Sequence, residues 1–86
     1  MGVVKVKSIT LEDGRLIHSE SGWVYTGARG TFVGSTASEA LAKAYNVNDA
    51  EVKLLRFKDY GVKALICIEG LCGLYDVEYE EGGSRG

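Results

Sequence analysis

His18, Cys67 and Cys72 are the side chains best suited to proton transfer, nucleophilic attack or metal binding near neutral pH. A catalytic imidazole needs a nucleophile and an orienting acid beside it. The neighbours expected for His18 across a hairpin are Ile9 and Tyr25, which supply neither, so a structural imidazole is the expectation. Cys67 and Cys72 are separated by four residues, unlike the Cys-x-x-Cys spacing of redox and zinc sites. With one histidine they cannot complete a four-ligand centre. Two reduced thiols are expected, Cys72 being the accessible and more reactive one because Gly70 and Gly73 flank it. No catalytic residue, metal or cofactor is called for.

Three other constellations concern binding. Gly27-Ala28-Arg29-Gly30, with Gly34-Ser35-Thr36 opening a helix, resembles a phosphate cradle in outline, yet lacks the lysine of a P-loop and the glycine spacing of a dinucleotide fold. Lys5, Lys7, Trp23, Tyr25 and Arg29 make a candidate aromatic and basic sheet face for single-stranded nucleic acid, since bases stack on rings while cations follow the backbone. Asp76, Glu78 and Glu80 alternate along the last strand, a candidate acidic edge for a basic protein. The plain alternatives are a tight turn, a core and a solvated face.

Composition narrows the classes further. The 86 residues allow one domain, expected over residues 1–80, with a flexible tail over 81–86. A chain of this length buries only about 60% of its unfolded surface, so a partner surface is a common remedy. The net charge of -2 is too small for unspecific attraction to nucleic acid. No run of residues has the length and apolarity of a signal peptide or a membrane span, and two cysteines make no disulfide framework, so a reducing cytoplasm is the expected setting.

The elements that must carry these residues follow from periodicity. Val62, Ala64, Ile66 and Ile68, then Tyr75, Val77 and Tyr79, alternate on one face of a C-terminal hairpin. At the other end, Val3 to Leu11, Arg15 to Glu20 and Trp23 to Thr26 read as a meander turning at Asp13-Gly14 and Ser21-Gly22. Its expected register sets Ile9 against His18, His18 against Tyr25 and Lys7 against Glu20. The apolar pattern of the first strand changes phase near Lys7-Ser8, which requires a bend or bulge there, or a sheet covered on both sides. Thr31 to Val33 is a short extended piece, and Val52 to Lys58 a further strand.

One helix is expected. Thr36 and Glu39 form a capping box, Ala37, Ala40, Leu41, Ala44 and Tyr45 share a face, and Asn46 suits a left-handed stop. The fold class is therefore α+β, a six- to seven-stranded mainly antiparallel sheet, curled or a half-barrel, in the order β-β-β-(β)-α-β-β-β. One short helix is too little cover for so much apolar sheet. The expected function is a small non-enzymatic interaction protein acting through a sheet face or edge, at Trp23 and Tyr25 or on the acidic last strand, on a protein partner and as a homodimer. The different-class alternative is a nucleic-acid-binding accessory protein using Lys5, Lys7, Trp23, Tyr25 and Arg29.

Overall fold

A computed structural model describes residues 3–82. Seven strands and one helix follow in order: β1 Val3–Thr10, β2 Gly14–Ser19, β3 Gly22–Gly27, β4 Gly30–Gly34, α1 Ala37–Tyr45, β5 Ala50–Phe57, β6 Gly61–Ile68 and β7 Leu71–Gly82. They form one unclosed antiparallel sheet ordered β4-β3-β2-β1-β7-β6-β5. β7 continues through Glu81 and Gly82, paired with Val4 and Val3, so these two residues belong to the sheet, while 83–86 of the expected tail lie outside the described residues.

The helix forms where its caps are. Thr36 accepts the Glu39 amide at 3.0 Å, and Asn46 closes the helix at φ 55° and ψ 50°. The Glu39 carboxylate reaches past Thr36 to the amide and hydroxyl of Ser35, at 3.0 and 2.6 Å. Ala37, Ala40, Leu41 and Ala44 are buried, and the small face lets the helix approach β4 so closely that a Cβ on Gly34 would stand 2.4 Å from the Ala40 nitrogen. The helix touches β2, β3 and β4, and also β5 at the opposite edge, so the sheet curls around it.

The core lies between helix and concave face. Tyr25, Leu16 and Leu41 have no exposed surface and Ile9 has 1%. Ala64 and Ile66 join them, with Tyr75, Val77 and Tyr79 packed around the rim. Burial of each large aliphatic side chain is worth about 1.5–3 kcal/mol, which outweighs the weak intrinsic stability of a nine-residue helix.

The phase change in β1 is a bulge. Val6 pairs with Tyr79 but Ser8 with Glu78, leaving Lys7 as the extra residue. Val4 and Val6 before it and Ile9 and Leu11 after it consequently share the concave face. Without it, one half of β1 would turn its apolar groups to water.

Three registers differ from expectation by two residues. Ile9 pairs with Leu16, Leu16 with Tyr25 and His18 with Trp23. Glu20 lies in the turn, so Lys7 binds Glu80 instead, at 3.2 Å. In the C-terminal hairpin the turn is Glu69-Gly70, at φ 52° and 88°, and Lys63 faces Asp76 rather than Glu78 or Glu80. Shifts of two preserve every face, so the hydrophobic pattern cannot detect them.

Candidate interaction surface

The corrected hairpin register has a chemical consequence. With Glu69-Gly70 as the turn, Cys67 lies directly opposite Cys72, Cα to Cα 4.0 Å, and the two form a disulfide. This pair sits where the β6–β7 ladder makes no backbone bonds, because Cys67 directs those groups to β5, and side chains come closest at such pairs. The expectation of two reduced thiols, with Cys72 as a reactive one, is corrected: neither sulfur is free. The cysteine argument for a reducing cytoplasm goes with it.

Among the described residues the convex face carries no helix. Along β1, β7 and β6 it is a ladder of paired charges: Lys7 on Glu80, Ser8 donating to Glu78 at 3.2 Å, and Lys63 on Asp76 at 2.7 Å. Lys5 lies opposite Glu80 as well. Lys7 of the expected basic face is thus paired with Glu80 of the expected acidic strand. β7 is also an interior strand, so Asp76, Glu78 and Glu80 form no edge.

The aromatic members of the expected nucleic-acid face are elsewhere. Tyr25 is fully buried beneath α1, while Trp23 packs at the core rim and stacks on His18 with ring centres 4.8 Å apart. Trp23 shares the concave side with Tyr25, whereas Lys5 and Lys7 are on the convex side. The five residues do not form one surface.

Arg29 belongs to a polar knot that sequence reasoning missed. The β1–β2 loop, the β3–β4 turn and the end of α1 converge on Asp13. Its carboxylate accepts Arg29 Nε at 2.9 Å and the Tyr45 hydroxyl at 3.1 Å, and its carbonyl accepts the Ala28 amide at 2.8 Å. The Arg29 guanidinium lies over the Tyr45 ring, 3.8 Å from its centre. Burial pushes the Asp13 carboxyl up, but the hydrogen bonds from Arg29 and Tyr45 prevail and hold it below its ordinary value. Burial chiefly raises the Tyr25 and Tyr45 hydroxyls. The Leu11 amide donates to the Gly14 carbonyl at 2.9 Å, so the turn is centred on Glu12-Asp13, one residue before the expected Asp13-Gly14, and this is the first register shift.

The phosphate cradle is likewise filled from within. Arg29 is committed to Asp13, and the Glu39 carboxylate already holds the Ser35 amide at the start of α1. Ser35 hydrogen bonds, first, hold the Glu39 carboxyl below its ordinary value.

What remains uncovered is the far end of β5 and the β6–β7 hairpin. Leu55 and Phe57 on β5, Leu65 on β6 and Leu74 on β7 all point to the convex side, with Tyr60 in the adjoining turn. Tyr60 is 75%, Leu74 55% and Leu55 36% exposed. Phe57, Tyr60, Leu74 and the Lys63 stem enclose an apolar slot of about 240 Å³. Gly61, at φ 76°, makes the turn possible, and the Tyr79 hydroxyl occupies the space a Cβ would need. The legible signal was that β6 is apolar on both faces, Leu65 and Cys67 alternating with Ala64 and Ile66.

Comparison with protein-family models, with curated proteins and with solved structures finds no match to this chain. Among the described residues no helix is long and apolar enough to cross a membrane, and no group of three or more His, Cys, Asp or Glu side chains is placed to hold a metal ion.

Proposed function

We propose that this chain is a small non-enzymatic interaction protein that docks a protein partner on the convex face of β5–β7, a second copy being one such partner. The observation that carries this reading is the apolar slot of Phe57, Tyr60, Lys63 and Leu74, with exposed Leu55 paired across the ladder with Lys63 on the same sheet face. Charged rungs at Lys63–Asp76 and Lys7–Glu80 border it, as a polar rim borders an apolar centre. Two clusters of titratable groups elsewhere are engaged internally, Asp13 with Arg29 and Tyr45 and Glu39 with Lys43. The contact region thus lies on the opposite end of the sheet from Trp23 and Tyr25.

Sedimentation equilibrium from micromolar to millimolar concentration tests the self-association part. The weight-average mass is expected to rise with concentration in the natural chain and to stay monomeric in Leu74→Asp and Leu55→Glu. A rise that persists undiminished in both variants would place the contact elsewhere. A monomer at every concentration removes the second copy as a partner.

A further inference from the structure

The backbone of β5 is divided between two uses. The Glu69 amide donates to the Asp49 carbonyl at 3.0 Å, and the ladder alternates from there, so Glu51, Lys53, Leu55 and Phe57 spend their amides and carbonyls on β6. Val52, Leu54 and Arg56 direct theirs away from the sheet. The Val52 amide is taken by Ser38 Oγ of α1 at 3.1 Å. Among the described residues nothing comparable takes up the outward groups of Leu54 and Arg56.

We infer that the open stretch Lys53–Phe57 of β5 accepts an extended acidic and apolar segment of a partner protein as an eighth, antiparallel strand. The inference rests on the docking reading above and names the chemistry of its partner. Main-chain bonds to Leu54 and Arg56 supply attachment, and side-chain pairs supply choice. Leu54 is 48% exposed and borders a shallow hollow with Val4 and Val62 on the concave side, while Leu55 and Phe57 lead into the slot on the convex side. Apolar residues therefore belong opposite positions 54, 55 and 57.

Charge fixes the rest. Residues 53–58 contain Lys53, Arg56 and Lys58 and no acid. Arg56 is bound to Glu81 at 3.6 Å, whereas Lys53 and Lys58 have no carboxylate partner among the described residues. Acidic residues opposite these two lysines complete the pattern, which read antiparallel is Glu-Val-Thr-Val-Ile-Glu. A second β5 fits poorly. Two-fold pairing that joins Leu54 to Arg56 sets Leu55 on Leu55 but brings together two segments of like charge.

The test uses the blocked hexapeptide Glu-Val-Thr-Val-Ile-Glu and its counterpart with lysine in place of both glutamates, each titrated into isotope-labelled protein at low salt. The acidic peptide is expected to shift the amides of Leu54 and Arg56, slow their hydrogen exchange and lose affinity as salt is added. The lysine peptide is expected to bind roughly tenfold or more weakly, Lys53→Glu to abolish that preference and Lys53→Glu combined with Lys58→Glu to reverse it, because like charges set directly opposite oppose docking. Val33→Asp, on the other edge strand, leaves binding unchanged. Unmoved core resonances confirm that each exposed variant folds. Absence of shifts, or equal binding of both peptides, overturns the inference. Shifts confined to Tyr60 and Leu74 sink strand addition while leaving face docking intact, and protection of Leu54 that grows with protein concentration alone assigns the edge to a second copy and overturns the acidic partner.

Discussion

The β4 and β5 edges end the same sheet and meet the same helix, yet they are defended differently. β4 has five residues, is bounded by Gly30 and Gly34, and lies flush against α1. Lys43 donates its ammonium to the Val33 carbonyl at 2.9 Å, so a helix side chain occupies that edge. On β5 the helix reaches only the Val52 amide, through Ser38, and the five residues beyond it, Lys53–Phe57, run free with Leu54 and Leu55 exposed. A short helix shields one end of each edge strand, and the eight-residue β5 outruns it. Length, more than composition, leaves one edge available.

Gly34→Val strikes the shielded edge hardest. Its side chain meets the Ala40 backbone, so helix or strand must move, with an expected loss of about 3 kcal/mol in chemical denaturation. If β4 is protected by α1, this variant also gains concentration-dependent association that the natural chain lacks at that edge.

Asp13→Asn loosens the same end of the molecule, where the knot ties the β3–β4 turn to the helix. A charged hydrogen-bonding group is lost, with an expected cost of about 2 kcal/mol at neutral pH. The folded-state carboxyl lies below its ordinary value. Its contribution is therefore complete above the unfolded value of about 3.9 and drains away as pH falls through the folded one. The variant is expected to lack that acid-side slope in melts recorded from neutral pH downward through the acid range.

At the open end, reduction of Cys67–Cys72 sharpens the contrast. The bond closes a very short loop that the Glu69-Gly70 turn already holds, so about 1–2 kcal/mol is the expected loss. Amides of Leu71 and Leu74 should exchange faster on reduction while those of Trp23 and Val24 keep their rates. Ser38→Ala is smaller, about 1 kcal/mol. It extends the open edge to Val52, whose amide should then exchange as fast as that of Leu54; unchanged protection at Val52 would show that the hydroxyl does not guard it.

Much of this architecture was legible because apolar spacing reports faces. The single helix, its Thr36 and Asn46 caps and the break near Lys7-Ser8 all appear as local pattern. The interaction surface was harder to read. Tyr25 looked available because register, not composition, sets it against Leu16 and under α1. Cys67 and Cys72 looked unpaired because a turn at Gly70-Leu71 would place Glu69 opposite Cys72. Glutamate in a left-handed conformation gives little local signal, and Glu69 occupies that position. Asp13, Arg29 and Tyr45 belong to three elements, and no spacing along the chain announces their meeting.

Amide resonances followed through a protein concentration series, with and without the acidic hexapeptide, compare the two edges in one experiment. The account predicts movement at Leu55 and Leu74 as protein concentration rises, and at Leu54 and Arg56 only when the peptide is added, while Val24 and Val33 stay fixed. Movement centred on Val24 and Val33, with the β5 amides unaffected throughout, would contradict it.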